Sequence, residues 1–352
     1  MRKRILIVSA RIGAGHDGAA RELARRLSSH QIEHADFLDL LPGQLGKRLC
    51  SAYHHQLEWL PRSWDWLLRG LSSPGAAGLA VRASALACRN LSALITPATD
   101  LVISTYPLAS HAMAHLRSRE NLPGSFAVYL TDPSVHRLCV SPTADLHIAP
   151  NPTAARQTRR FGASRVEIAA PVVGPGFHPA ASKAEYVQAR GSFGLPQDRR
   201  LALVVAGSWG VGEVEQIARD VTRSGVAQPV VVCGRNTALL HRLQQAGYPH
   251  IFGWIADMAR LMRACDVVVQ NAGGLTTSEA LTCGLPVLTY RCLPGHGRAN
   301  ARVLDEEGLV PWVRSPEGLP AALVATDPPR SFADRDPAPL LEKLLNTAKA
   351  AA

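Results

Sequence analysis

The chain has 352 residues, of which 47% are hydrophobic and 19% charged, as expected for a soluble globular protein with room for two domains. No apolar run reaches the length of a membrane span or a signal peptide, and seven scattered cysteines favour a reducing, cytoplasmic compartment over disulfides or zinc. The net charge is +10, concentrated in residues 1–170, and no nucleic-acid-binding motif accompanies it.

The chain begins with a predicted strand, Arg4 to Ser9, a glycine loop at 13–18 (GAGHDG) and a predicted helix, Ala19 to Leu27. Formally this is the G-x-G-x-x-G pattern of a nicotinamide-binding dehydrogenase, which is a weak signal by itself. His16 inside the loop argues against that interpretation, because its imidazole would point where a pyrophosphate should lie.

Residues 50–95 form an amphipathic insertion in which three of the six tryptophans, Trp59, Trp64 and Trp66, are close together. Apolar residues at helical spacing with arginines around them are typical of a segment lying on an anionic membrane surface. Helices packed on a sheet, or contact with a soluble hydrophobic acceptor, would use the same residues.

Further strands are predicted at 101–104, 125–130, 145–149 and 165–169. The second of these ends in residues 131–136 (TDPSVH). Loops that follow parallel strands lie together at one edge of the sheet, so Asp132 and His136 are candidate site residues. Glycines and prolines between Val172 and Pro179 predict a domain boundary.

The second half repeats the alternation, with strands predicted at 201–206, 229–233 and 251–254. A second glycine loop, 207–212, precedes a helix at 213–223. Arg235 follows the next strand, where its guanidinium could reach a diphosphate.

The stretch 266–300 reads as one complete ligand site: strand 266–270, glycine turn 271–274, helix 275–283 and strand 287–290. Paired glycines let backbone N–H groups at a helix start approach an anion such as a diphosphate. Glu279, one turn further on, could bind two ribose hydroxyls. The pattern predicts a nucleotide site.

Three motifs carry a resemblance to a known family: residues 272–281 (AGGLTTSEAL), 284–286 (GLP) and 294–300 (PGHGRAN). They resemble the donor-binding region of inverting GT-B glycosyltransferases. The most similar branch holds monogalactosyldiacylglycerol (MGDG) synthases, processive diacylglycerol glucosyltransferases and the lipid II synthase MurG. That branch usually reads P-G-G-L-T-x-x-E-A-L, G-L-P and P-G-Q-E-x-x-N. Here His296 replaces the glutamine and Gly297 the glutamate, beside the donor sugar.

The resemblance implies an α/β fold of the GT-B type, in which two Rossmann-like domains have parallel sheets facing across a cleft. Residues 1–172 would bind the acceptor and residues 173–330 the nucleotide sugar. A tail, 331–352, containing a helix at 339–349, would pack back on the first domain.

It also implies an inverting, metal-independent transfer from a UDP-sugar co-substrate to a hydroxyl of a lipid or other hydrophobic acceptor, without a cofactor. His16 would be the general base, supported by Asp132 and His136. Gly15 and the three tryptophans would contact the acceptor. The implied donor-binding residues are Gly207, Ser208, Trp209, Gly210, Arg235, Trp254, Ile255, Ala272, Gly273, Gly274, Thr276, Glu279, His296 and Asn300.

Three alternatives stay open from the sequence. The acceptor could be a soluble secondary metabolite rather than a membrane lipid. A UDP-N-acetylglucosamine 2-epimerase shares the two-domain fold and the donor site, and a non-enzymatic nucleotide-sugar sensor would need no base. The protein is expected in the cytoplasm, either free or peripheral on the inner face of the membrane, with no nucleic-acid partner.

Overall fold

The computed structural model describes residues 2–12, 14–59, 74–120, 122–325, 332 and 335–347, with the backbone alone for 53–59, 74, 76 and 77. The chain forms two compact units. The first ends at Val172, the second begins at Val173, and the chain returns to the first at Phe332. Each unit contains one six-stranded sheet, so the predicted α/β class with two Rossmann-like domains is confirmed.

Every strand pair in the two sheets is parallel. The order is β2-β1-β3-β4-β5-β6 in the first unit and β12-β11-β10-β7-β8-β9 in the second. The strands are β1 Arg4–Ser9, β2 Gln31–Asp36, β3 Thr99–Ser104, β4 Ser125–Tyr129, β5 Leu146–Ala149, β6 Val166–Ile168, β7 Leu201–Val205, β8 Gln228–Val232, β9 Ile251–Phe252, β10 Val267–Gln270, β11 Val287–Tyr290 and β12 Trp312–Val313.

Helices connect these strands, as parallel pairing requires. They are α1 Ala14–Arg26, α2 Leu45–Trp59, α3 Pro74–Ser84, α4 Cys88–Leu94, α5 Pro107–Arg117, α6 Pro152–Arg160, α7 Lys183–Ser192, α8 Val214–Arg223, α9 Thr237–Gln245, α10 Met258–Arg263, α11 Gly274–Thr282, α12 His296–Glu306, α13 Leu319–Val324 and α14 Ala338–Thr347. Three short 3-10 helices cover Ala85–Ala87, Arg137–Cys139 and Pro316–Gly318.

The central strands are continuous apolar runs because both faces of each sheet are covered. Every residue of β4 and of β7 is buried. Runs of this kind, without polar alternation, are typical of parallel sheets between two helical layers. The carboxyl ends of the strands therefore become the place where polar loop residues can gather.

The C-terminal helix α14 belongs to the first unit. Four leucines, 340, 341, 344 and 345, are buried in one apolar cluster with residues of β1 and β3 such as Ile7 and Ile103. Asp336 pairs with Arg26 at 3.0 Å and Glu342 with His30 at 2.8 Å. Burying a leucine contributes about 1.5–3 kcal/mol, so this helix is an integral part of the first unit's core.

The predicted strands lie within two residues of those observed, but β2, β12, several connecting helices and the start of α1 were not predicted. β2 is a polar edge strand, and β12 has only two residues. Helix α1 begins at Ala14 rather than Ala19, so His16 lies in its first turn instead of in a loop. Over the residues that the structure describes, no helix is long and apolar enough to cross a membrane.

Candidate active site

His16 is held at the carboxyl edge of the first sheet by a backbone carbonyl. Its Nδ1 lies 2.6 Å from the carbonyl oxygen of Thr105, which directly follows β3. Because a carbonyl oxygen can only accept, Nδ1 carries the proton and Nε2 the lone pair. The hydroxyl of Thr105 in turn donates to the His16 carbonyl at 3.0 Å. The ring is thus fixed in the tautomer that a general base needs.

A pocket surrounds His16 at the ends of β3 and β4. It is lined by Thr105, Tyr106, Thr131 and Asp132, among others. Thr131 Oγ1 lies 3.2 Å from His16 Nδ1, and the Tyr106 ring meets the imidazole edge-on at 5.4 Å between centroids. The structure therefore brings the two predicted residues, His16 and Asp132, into one pocket.

The other residues predicted for the site in the first unit are His136, Gly15 and three tryptophans. His136 does not line this pocket; its Nδ1 accepts from the Leu138 amide at 3.3 Å and caps a short helix. Gly15 is the second residue of α1. Trp64 and Trp66, and the side chain of Trp59, lie outside the described residues.

A polar network below the first turn of α1 was not predicted. Ser9, at the end of β1, donates to Asp17 at 3.2 Å and lies 2.8 Å from His34 Nε2. Asp17 follows His16 directly, so this network anchors the turn that carries the imidazole. β2, which contributes His34, was itself missed, so the sequence offered no reason to place His34 here.

In the second unit, the loops that follow β7 and β8 interlock. The Arg235 amide donates to the Ser208 carbonyl at 2.9 Å, and the Asn236 side chain donates to the Gly210 carbonyl at 3.3 Å. A Cβ at Gly210 would lie 2.3 Å from the Cys233 carbonyl oxygen, and one at Gly234 would lie 2.5 Å from that of Ser208. Both residues have a positive φ, so glycine is required at each.

The glycine turn after β10 is fixed by two buried amide side chains. Gln270 accepts from the Gly273 amide at 2.7 Å, and Asn300 donates to the Ala272 carbonyl at 3.1 Å. Ala272 is buried and has φ 77°, a strained conformation for a residue with a side chain. Asn300 and Ala272, predicted to bind the donor, therefore act on the shape of the turn.

Replacing Asn300 with alanine should destabilise this turn. The amide is fully buried, so its loss leaves the Ala272 carbonyl without that hydrogen bond, at a cost of about 1–3 kcal/mol. Chemical denaturation measures the change. Arg302→Ala, at an exposed position on the same helix, is the matched control and should stay within about 0.5 kcal/mol of the wild type. Equal stability of the two variants would contradict the assignment.

The start of α11 offers backbone donors to an anion. Gly273 has its amide engaged by Gln270, whereas the following helix-start amides of 274–276 have no side-chain cap. Thr277 and Ser278 bond back to carbonyls of their own helix, at 2.7 and 3.0 Å. Thr276 makes no such bond among the described residues, which leaves its hydroxyl for a ligand.

Glu279 lies on the same helix, partly buried. No side chain or amide within the described part of the chain bonds or pairs with its carboxylate. Burial raises the pKa of Glu279 to about 8. A partly exposed carboxyl group in the middle of this helix, with no protein partner among the described residues, is a strong candidate for binding ligand hydroxyls.

Arg235 lies against two indole rings. Its guanidinium carbon is 4.7 Å from the centre of the Trp254 ring and 5.7 Å from that of Trp209. Trp254 is 53% exposed and Ile255 half-buried, in the loop after β9. The predicted residues of three successive strand ends thus lie together.

The loop after β11 contains the two positions, 296 and 297, that differ from the family pattern. Gly297 is buried, and a Cβ there would lie 3.0 Å from the Leu293 Cβ and 3.2 Å from the Asn271 carbonyl oxygen. No room exists for an acidic side chain without a shift of Leu293. His296 is exposed and opens α12.

The sequence and the fold of this chain are similar to those of known proteins. Residues 16–172 match the profile of the monogalactosyldiacylglycerol (MGDG) synthase family. The processive diacylglycerol beta-glucosyltransferase of Bacillus pumilus is 23% identical over 334 residues, covering 87% of this chain and 82% of that protein. The probable chloroplastic MGDG synthase of Glycine max is 26% identical over 360 residues, covering 92% and 64%. MurG of Acinetobacter baumannii superposes with a TM-score of 0.55 at 17% identity, covering 100% and 96%.

The fold defines the class: the chain has the GT-B architecture, which it shares with MurG. Within it, the chain is similar to the MGDG synthases and processive diacylglycerol glucosyltransferases, and the resemblance predicted from its motifs is confirmed. For three further Bacillus relatives the match covers 55–56% of their length, so the chain spans little more than half of those proteins.

Proposed function

We propose that this protein transfers a sugar, with inversion, from a UDP-sugar to a hydroxyl of a lipid acceptor, with His16 as general base. The observation that carries the proposal is the 2.6 Å contact from His16 Nδ1 to the Thr105 carbonyl, which leaves the lone pair on Nε2. In the proposed single displacement, the acceptor oxygen attacks the anomeric carbon and gives its proton to Nε2. The bond from that carbon to UDP breaks in the same step.

The second unit would hold the donor. The amides at the start of α11, with Thr276, Ser208 and Arg235, are placed on neighbouring strand ends, where they can take the diphosphate and its developing charge. Glu279 would accept from the ribose hydroxyls, and Trp254 with Ile255 would flank the base. In this scheme amide dipoles and a guanidinium neutralise the leaving group, so we propose a metal-independent reaction without a cofactor.

The lipid acceptor is supported by an exposed apolar face on the first unit. Leu79 and Leu86 are 70% and 52% exposed, and Arg82 and Arg89 are exposed between and after them at near-helical spacing. Leucines alternating with arginines favour contact with an anionic bilayer surface. We place the protein at the inner face of a membrane on this ground.

Gly297 and Leu293 bear on the donor sugar. The family's acidic residue has no counterpart here, and the space a side chain would need is filled by Leu293. The names of the relatives specify glucosyl and galactosyl transfer. Because the contact beside the donor sugar differs here, the assay below uses a panel of UDP-sugars.

A product assay tests the proposed function. The protein is incubated with a panel of UDP-sugars, either alone, with diacylglycerol in mixed micelles or with soluble phenols, and UDP, glycosylated product and sugar nucleotide are quantified. UDP release that depends on the lipid, with a glycolipid of inverted configuration, is the expected result. Appearance of an epimer without UDP would instead identify an isomerase, and activity on soluble phenols alone would identify a metabolite transferase. No turnover with any pair would overturn the proposal.

Vesicle binding tests the acceptor-side surface. Leu79→Ser combined with Leu86→Ser should release the protein from phosphatidylglycerol vesicles in a co-sedimentation experiment, because each removes buried apolar contact with the bilayer. Val187→Ser, at a 43% exposed valine of the second unit, is the control and should bind as the wild type does. Equal binding of all three proteins would remove this face from the membrane contact.

A further inference from the structure

Arg235 differs from the other arginines that stack on aromatic rings in the described residues. Arg190, Arg291 and Arg314 lie over tyrosine or tryptophan rings at 4.4, 5.3 and 4.7 Å. Each of them also pairs with an aspartate, at 2.7, 2.9 and 3.3 Å. Arg235 contacts two rings, and no carboxylate among the described residues pairs with it.

The backbone around Arg235 is rigidly set. Its amide donates to the Ser208 carbonyl, and the adjoining glycines 210 and 234 pack against backbone carbonyls with no space for a side chain. Trp209, Arg235 and Trp254 follow β7, β8 and β9, which are successive neighbours in the sheet. The backbone of Arg235 is therefore fixed by the neighbouring loop, and its guanidinium group lies against two indole rings.

Two indole rings restrain an arginine without neutralising it. A carboxylate would hold the side chain as well, but would cancel the positive charge that a diphosphate requires. An indole face attracts the guanidinium through its quadrupole and leaves the N–H groups at the guanidinium edge able to donate to an oxyanion. Restraint before binding also lowers the conformational entropy lost when the ligand arrives.

We propose that Trp209 and Trp254 are positioning residues that hold Arg235 ready for the diphosphate of the donor. This inference rests on the proposed function and adds a task for the indoles that is separate from flanking the nucleobase. Substituting either tryptophan should therefore weaken the binding of a ligand that carries phosphates more than the binding of a ligand without them.

Calorimetric titration with UDP and with uridine separates the two tasks. Trp254→Leu should weaken UDP binding by about 3- to 30-fold more than it weakens uridine binding, the range a cation–π contact supports. That excess should vanish in the Arg235→Met background, and Trp254→Phe should restore part of it. Trp209→Leu should show the same selectivity with a smaller factor, because its ring is further from the guanidinium.

The control is Trp312→Leu, which removes an indole at the same 4.7 Å from an arginine, Arg314, that is paired with Asp305. It should change neither affinity. Equal losses for UDP and uridine in Trp254→Leu, or an excess that persists without Arg235, would overturn the positioning role while leaving the donor site intact. Failure of the wild type to bind UDP would overturn the proposed function together with this inference. Circular dichroism checks folding of each variant.

Discussion

His16→Ala will lower the turnover of sugar transfer by about a hundredfold to ten-thousandfold, the contribution of one general base, while UDP affinity stays near that of the wild type. The reason is local. The Thr105 carbonyl and the Thr131 hydroxyl both lie within reach of Nδ1, so the ring is oriented to receive a proton at Nε2. Alanine leaves the pocket in place without a proton acceptor.

Steady-state kinetics with saturating donor and lipid measures this effect. His241→Ala, at an exposed histidine of α9 in the second unit, is the control and should keep full turnover. Thr131→Val should lower turnover by less than His16→Ala, because the carbonyl still fixes the tautomer. Full turnover in His16→Ala would remove the residue from the mechanism and leave the general base to another group.

The fold was largely predictable because the alternation of apolar runs and glycine turns is written into the sequence. The strand 287–290 was predicted to the residue, and β10 to within one. β2 was missed because an edge strand with the sequence QIEHAD has no continuous apolar run. The start of α1 was placed five residues late, since local glycines suggest a loop. Tertiary bonds to His16 and Asp17 favour helix there.

The sequence indicated residues of the candidate site but not the connections between them. Strand-end positions indicated Asp132 and Arg235, and the family resemblance indicated His16. The group that orients His16 is the backbone carbonyl of Thr105. Every residue has such a carbonyl, so the sequence does not distinguish this one, although Thr105 does follow a predicted strand. The role of Gln270 was not predicted either, because it depends on the conformation of the turn: its side-chain oxygen accepts from the Gly273 amide three residues later.

UDP affinity should rise with pH because of Glu279. Burial raises the pKa of this carboxyl group to about 8, so it is mostly protonated at pH 6. Ribose hydroxyls donate best to the ionised form, which is only a minor fraction below the pKa. Apparent affinity should therefore rise about tenfold from pH 6 to 7, several-fold more to pH 8, and then level off. Binding near pH 7 should release close to one proton.

Uridine isolates this effect from the titration of the UDP phosphates, since it retains the ribose and carries no phosphate. Titration of uridine between pH 6 and 8.5, in buffers of different ionisation enthalpy, gives both the affinity and the proton count. Glu279→Gln should abolish the pH dependence and weaken binding most at pH 8.5. A uridine affinity that does not change with pH would contradict the role of this carboxylate.

Glu279→Gln should also change the free energy of unfolding. Where the substitution weakens uridine binding most, at high pH, it should stabilise the ligand-free protein. A carboxyl group with a raised pKa in the folded state stabilises the fold fully below its ordinary pKa of 4.5, and that contribution is lost as pH rises through about 8. Glu279→Gln removes the dependence, so its stability relative to the wild type should increase between pH 5 and pH 8.5 in denaturation experiments without nucleotide. A carboxyl group that lowers stability at the pH where it binds best serves the ligand rather than the fold. If Glu279→Gln were no more stable than the wild type at high pH, Glu279 would be ionised and solvated in the free protein, and this prediction would be wrong.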